Sequence, residues 1–266
     1  MIRKFAKFFH RINAGMAGYD TVKYEIRQQI GILTIAMPPG NYLPSPEFIS
    51  RELMDRIGQD ESLKGLIVCG KGRNFSAGGD PGTILATAAD PELLRRQLEK
   101  GSELLHRISH LHIPVIAAIN GVCFGGGLEI ALACHIRVAS QNALLAFPEV
   151  NHGLIPGMGG TFRLPSVSGS AAAQLMLLGG DLLTATEALK LGIVDHLAPK
   201  GQSFAVAWDL MQKMTHDRTP KLIRYMLKAL QNAETLPAEE AFSEELRMFC
   251  ELAVDEAGKR KESCGS

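Results

Sequence analysis

Residues 116–134 read IAAINGVCFGGGLEIALAC, and the order of residue types in that run decides the architecture. Val115 to Ile119 is short and wholly apolar, the composition of a strand covered on both faces. Asn120-Gly121 ends it. After Val122-Cys123-Phe124 come three glycines, Gly125 to Gly127, which let backbone approach a ligand closely and permit positive φ. Leu128-Glu129-Ile130-Ala131-Leu132-Ala133 is then a good helix sequence. N–H groups near Gly126 therefore lack intrahelical partners and point outward beside Glu129 in the first turn, where an anionic oxygen could be stabilised. A first-turn Glu also occurs simply because it complements the helix dipole, so Glu129 by itself defines no reaction.

Outward from this run, strand and helix alternate. Upstream, Val22 to Arg27 and Gly31 to Met37 read as a strand pair around a Gln28-Gln29 turn, ended by Pro38-Pro39-Gly40-Asn41. From Pro46 the spacing of Phe48, Ile49, Leu53, Met54 and Ile57 is helical, and Leu66 to Cys69 is a short buried strand. Pro91 to Leu111 places Leu94, Leu98, Leu105, Ile108 and Leu111 on one helix face. Downstream, Ile136 to Ala139 and Ala143 to Phe147 read as strands, and Ala171 to Leu178 and Thr184 to Leu191 as helices. After Pro199 the apolar spacing is helical throughout. The expected organisation is a basic extension at 1–18, an α/β core over 19–197 and a helical C-terminal region over 198–266.

Bulk composition narrows the function classes. A chain of 266 residues with 46% hydrophobic content can bury a large core. Lys plus Arg equals Asp plus Glu at 28 each, so no global field favours nucleic acid or an anionic membrane. No apolar stretch approaches the roughly 18 residues of a membrane span. Cys69, Cys123, Cys134, Cys250 and Cys264 are odd in number and lack CxxC spacing, which fits inert thiols in a reducing compartment, the cytoplasm. Residues 1–18 carry Arg3, Lys4, Lys7 and Arg11 among Phe5, Phe8, Phe9 and Ile12. They read as a basic extension, or as sequence ahead of a true start at Met16. The alternative is an organellar targeting peptide and the mitochondrial matrix.

Two further glycine-rich segments follow the same rule as the first: Asn74-Phe75-Ser76-Ala77-Gly78-Gly79-Asp80, and Gly153-Leu154-Ile155-Pro156-Gly157-Met158-Gly159-Gly160. Neither has Walker A or GxGxxG spacing. Glu149 lies in the apolar run Leu144-Leu145-Ala146-Phe147-Pro148-Glu149-Val150. It is either a poorly solvated acid with a raised pKa or a residue at a strand's exposed end. His106 and His110 have i, i+4 spacing without an obvious third ligand, which reads as a polar helix face, and no metal is expected. His152 reads as a hydrogen-bonded loop residue or as a contact to substrate or water.

Taken together, IAAINGVCFGGGLEIALAC and FPEVNHGLIPGMGGTFRL closely resemble the signature of enoyl-CoA hydratases, and NFSAGGD resembles their first oxyanion-hole loop. The resemblance to this enoyl-CoA hydratase/isomerase (crotonase) family covers roughly Tyr19 to Ala253, with the order and spacing of all three motifs intact. It implies a crotonase-type ββα spiral core, a C-terminal helical trimerisation region, and a homotrimer or dimer of trimers. It also implies an acyl-CoA substrate and no separate cofactor, coenzyme A being part of the substrate. The thioester carbonyl is expected at the N–H groups of Ala77 and Gly126. Glu129 matches the carboxylate that activates water for attack on C3, and Glu149 the acid that protonates C2. Ser76, Gly78, Asp80, Gly125, Pro148 and Gly157 are expected to bind substrate. Acyl-pocket walls are expected from the Gly82 to Leu94 segment and from the C-terminal helices, and Lys259, Arg260 and Lys261 either meet CoA phosphates or form a solvated tail.

Several positions depart from the family pattern. His135 stands where an Asp is usual, Asp80 is followed by Pro81-Gly82 rather than a charged helix start, and PPGNYLPSP resembles hydratases of cyclic dienoyl thioesters. The presence of both carboxylates favours reversible hydration of a 2-enoyl-CoA. The rivals are double-bond isomerisation, hydration of a cyclic dienoyl-CoA, ring-opening hydrolysis, and a non-catalytic RNA-binding homologue, against which the neutral charge argues.

Overall fold

The computed structural model describes residues 21–264, with side chains to residue 259. The expected basic extension at 1–18 lies outside the described residues. Strands β1 (Val22–Arg27) and β2 (Ile30–Ile35) form an antiparallel hairpin whose Gln28 and Gln29 both have positive φ, as a two-residue type I′ turn requires. Parallel strands β4 (Gly65–Gly70), β6 (Val115–Ile119), β8 (Ile136–Ser140) and β11 (His196–Ala198) complete a six-stranded sheet in the order β1-β2-β4-β6-β8-β11.

Sequential passages from this sheet enter smaller ones. After β4 the chain forms β5 (Gly78–Gly79), which pairs in parallel with β3 (Tyr42–Leu43). After β6 it forms β7 (Val122–Phe124), and after β8, β9 (Leu144–Ala146); β7 and β9 pair in parallel and β10 (Leu183–Thr184) joins β9. A bridge between Ser76 and Cys123 ties the first passage to the second. Each passage then turns into helical structure: α2 (Pro81–Thr87) and α3 (Pro91–Ser109) after β5, α4 (Gly126–Ala133) after β7, and a 3₁₀ turn (Pro148–His152) after β9. Large-sheet strand, small-sheet strand and helix thus recur three times, which is the ββα spiral. The glycine-rich runs fall at these passages.

The large sheet is buried on both faces. Leu33, Ile35, Leu66, Val68, Val115, Ala117 and Ile119 point to one core with α1 (Arg51–Gln59), α3 and α4. Ile30, Ile67, Ile116, Ala118 and Val138 point to the other, closed by Ala207 and Met211 of α8 (Ser203–Thr215). The remaining helices are α5 (Gly160–Ser168), α6 (Ser170–Gly179), α7 (Ala185–Lys190), α9 (Pro220–Thr235) and α10 (Ala238–Cys264). Among the described residues, no helix is long and apolar enough to cross a membrane.

One expected boundary is corrected, and two helices join those read from the sequence. The first helix starts at Arg51, not near Pro46, because the Ser50 hydroxyl caps it by accepting from Leu53 N–H; Phe48 and Ile49 are buried ahead of it. α2 starts directly after Asp80, whose carboxylate is the N-cap with Pro81 in the first position. α5 forms although Pro165 lies inside it.

Candidate active site

Glu129 is 2% exposed, on a helix all of whose residues are buried. Its Oε1 accepts two backbone hydrogen bonds, from Met158 N–H at 2.7 Å and Gly160 N–H at 2.8 Å. Burial raises its pKa; the two N–H donors and the nearby Arg163 guanidinium act in the opposite direction. Arg163 also donates from Nη1 to the Met158 carbonyl at 2.8 Å.

Glu149 has neither the turn nor the guanidinium, and its own backbone N–H is the donor that favours its charge. It sits in the 3₁₀ turn with its Oε2 buried and unpartnered among the described residues. Desolvation, reinforced by the Glu129 charge, raises its pKa to about 7. Oε1 lies over Gly125: a Cβ there would be 2.6 Å from it, and Gly125 has a φ of 49°. Glycine at 125 thus gives Glu149 its place. The two carboxylates line one cavity of about 350 Å³, within the range of small-molecule sites.

The backbone donors are arranged differently from expectation. Gly126 is the first residue of α4, and its N-cap Gly125 offers no side chain, so the helix end leaves an N–H over. Ala77 N–H, the expected second donor, is instead bonded to the Gly40 carbonyl at 2.9 Å. Gly79 takes that place. In a parallel ladder one member of each opposed pair turns both N–H and C=O to the neighbouring strand, and the other turns both away. Leu43 opposes Gly79. Were Gly79 the bonded member, its carbonyl would need the N–H of residue 44, which is Pro44 and has none. Leu43 is therefore the bonded member, and Gly79, part of the cavity wall, turns its N–H away from β3. Gly78 brings the two donors together: a Cβ on it would lie 2.9 Å from Gly126 N, and its φ is 77°.

Of the expected substrate contacts, Asp80, Gly125, Pro148 and Gly157 line the cavity. Ser76 and Gly78 do not. Ser76 is fully buried, its hydroxyl donating to Asn41 O at 2.7 Å and accepting from Gly78 N–H at 3.1 Å, so it pins the loop behind the wall. Asp80 caps α2 through Oδ2, which accepts from the N–H and hydroxyl of Thr83. The Gly82 to Leu94 segment supplies Thr83, Ile84, Thr87 and Leu94 to the wall, together with Tyr42, Pro44, Pro46, Leu98, Ile155 and Met158. No described residue of the C-terminal helices lines it, contrary to expectation. His152 is in the wall and makes no hydrogen bond to a described residue.

Elsewhere, His106 and His110 stack with ring centroids 3.8 Å apart, and among the described residues no group of three metal-binding side chains gathers. His135 is structural: Nδ1 accepts from Val115 N–H at 3.1 Å while Nε2 meets Ser109 O at 3.2 Å. Lys259 lies 3.9 Å from Glu256, and the side chains of Arg260 and Lys261 fall outside the described residues.

Two inward carboxylates beside paired backbone donors, on a three-turn ββα spiral, define a crotonase-fold protein. Residues 26–264 match the family profile described as Enoyl-CoA hydratase/isomerase. A protein of Bacillus subtilis (strain 168) described as a probable enoyl-CoA hydratase is 36% identical over 247 residues, spanning 90% of this chain and 93% of that one. The fatty acid oxidation complex subunit alpha of Idiomarina loihiensis is 38% identical over 215 residues, 77% of this chain but 29% of that longer protein. A solved structure of an enoyl-CoA hydratase subunit from Geobacillus kaustophilus HTA426 superposes with a TM-score of 0.77 at 30% identity, covering 91% of this chain and 93% of that one. The chain belongs to the enoyl-CoA hydratase/isomerase family.

Proposed function

We propose that this protein is an enoyl-CoA hydratase, adding water reversibly across the C2–C3 double bond of a 2-enoyl-CoA. The observation that carries the reading is the contrast between the carboxylates. Burial raises both acids, but Glu129 has two N–H donors and a guanidinium to hold a negative charge, whereas Glu149 stands at about 7 with an unpartnered Oε2. One is suited to be the base and the other the acid. Glu129 takes a proton from water as its oxygen bonds to C3. The π electrons pass to the thioester oxygen, whose charge is met by the N–H groups of Gly79 and Gly126. Collapse of this enolate takes the Glu149 proton at C2, leaving Glu129 protonated and Glu149 ionised.

No separate cofactor enters this reaction, since coenzyme A arrives as part of the substrate. A homotrimer or a pair of trimers belongs to the same proposal, supported by Met226, Leu230, Phe242, Leu246 and Phe249, all exposed on α9 and α10. A reducing compartment, the cytoplasm, is supported by the free thiols Cys69, Cys123, Cys134 and Cys250.

The test is loss of enoyl-thioester absorbance when purified protein meets crotonyl-CoA or a cyclic dienoyl-CoA, with Glu149→Gln and Glu129→Gln alongside. Hydration that collapses in both variants supports the reading. Activity that needs only one of the carboxylates, or isomerisation or hydrolysis without hydration, overturns it in favour of a sister reaction.

A further inference from the structure

Glu129 takes both of its hydrogen bonds from a single short turn. Met158 and Gly160 supply the donors, and Gly159 between them has a φ of 101° and a ψ of 18°. Such a turn in free backbone has no reason to keep two N–H groups aimed at one oxygen. Arg163 gives it one. From the first turns of α5 its guanidinium reaches back and donates to the Met158 carbonyl at 2.8 Å, lying so close over the turn that a Cβ at Gly159 would be 2.4 Å from Nη1. The guanidinium thus holds the carbonyl of the peptide whose neighbouring N–H groups grip Glu129.

Arg163 faces two ways. On the inner side lies the Glu129 carboxylate. On the outer side is a crevice of about 420 Å³ that it shares with Glu99, Glu103, His106 and Phe162. The other titratable groups of this neighbourhood are Glu149 on the 3₁₀ turn, with Asp80 and His152 in the cavity wall. Among these groups Arg163 is the cation that bonds the turn.

We infer that Arg163 is a positioning residue for the reaction proposed above: it locks the 158–160 turn so that two N–H groups hold Glu129 Oε1, and it sets a cation beside that carboxylate. The inference rests on the hydratase reading for its catalytic meaning but not for its test. Burial alone raises the Glu129 pKa, and Arg163 acts in the opposite direction. Burial and the neighbouring His110 lower the pKa of His106, and the same guanidinium adds to this from the other side.

The experiment is carbon-13 NMR titration of the side-chain carboxyls and histidine rings of wild type, Arg163→Met and Arg163→Lys, with the Glu129 and His106 resonances assigned by their loss in Glu129→Gln and His106→Gln. Thermal unfolding of each variant is recorded beside it. Removing the charge is expected to move the Glu129 midpoint upward in Arg163→Met and the His106 midpoint upward with it, while Arg163→Lys restores part of both shifts. In the thioester assay Arg163→Met is expected to lower kcat about tenfold with little change in KM, and to move the acid limb of the pH profile upward. A Glu129 midpoint that stays at its wild-type position in Arg163→Met overturns the inference. If that variant does not fold, a Glu129 midpoint in Arg163→Lys identical to wild type, together with wild-type kcat, overturns it equally. A wild type that hydrates neither thioester refutes the proposed function and leaves the NMR result to judge Arg163 by itself.

Discussion

A single proton shared by two carboxylates gives the proposed hydration a defined pH window. The productive complex has Glu149 protonated and Glu129 ionised, and the product complex has the same proton count with the positions exchanged. Hydration of a thioester releases no proton, so its equilibrium constant is independent of pH. The values of kcat/KM for hydration and dehydration must then follow one common profile, highest where the pair holds one proton. The alkaline limb is the loss of that proton, and desolvation in the 3₁₀ turn places it at about 7. Above that point kcat/KM is expected to fall about tenfold per pH unit. On the acid side it falls as Glu129 takes a second proton.

The assay is thioester absorbance with crotonyl-CoA forward and 3-hydroxybutyryl-CoA in reverse, at constant ionic strength. Glu149→Gln is expected to cost between about 10² and 10⁴ in kcat, the range of a lost general acid, and its residual activity should lack the alkaline limb. A wild-type profile flat from about pH 6 to about pH 9, or an alkaline limb that survives in Glu149→Gln, would refute the assignment of the proton to this pair.

Three further outcomes follow from groups already placed. Glu149 has a folded pKa of about 7, above its ordinary 4.5. The folded state therefore keeps this proton longer than the unfolded chain does, and stability is lost as pH rises between the two values. Glu149→Gln should accordingly be more stable than wild type by about 1–2 kcal/mol in urea unfolding above about pH 8, after allowance for solvent screening, and the gain should vanish below about pH 4. His135 is half-buried and desolvation lowers its pKa, so its contribution is full above the ordinary histidine value of 6.5 and is lost as pH falls. His135→Asn, which keeps an acceptor for Val115 N–H, should flatten that acid-side slope in the same unfolding series. Gly78→Ala meets both a positive φ and a Cβ position 2.6 Å from Phe124 O. It should lose about 2 kcal/mol or more together with activity, while Gly79→Ala, whose Cβ would touch only the flexible Ile84 side chain, should fold. Equal melting temperatures for the two variants would refute the packing argument.

The large sheet was legible because its strands are continuous apolar runs between glycines and prolines, and such runs have few alternatives in a buried sheet. Glu149 was legible for the same reason, as a charge within an apolar run. What escaped was set by partners distant in sequence. The two-residue strands β3 and β5 have no period to read and exist only because they face each other. Phe48 and Ile49 continue an apolar spacing although the helix begins later, because burial and helicity are separate properties and the Ser50 cap decides the second. Ala77 was expected as a donor, but its N–H is spent on Gly40, a partner 37 residues earlier. The signal that could have found Gly79 is Pro44: a residue without an N–H opposite a two-residue strand fixes which side of that strand is bonded. Arg163 stands inside the quoted run FPEVNHGLIPGMGGTFRL, but its partner is a backbone carbonyl, which no pairing of residue types reveals.

The two acids differ in how each is treated by backbone, and this explains why glycine is so dense around them. Glu129 needs donors, and the Gly159 conformation supplies them by turning two N–H groups onto one oxygen. Glu149 needs poor solvation while remaining at the cavity, and Gly125 allows this by leaving empty the space that a Cβ would take from Oε1. The backbone donors proposed for the thioester oxygen rely on Gly78, because only a residue without Cβ lets the β5 backbone approach Gly126 N this closely. Glycines that look like turn punctuation in the sequence therefore shape the electrostatics of the site, giving two identical functional groups different hydrogen-bond surroundings.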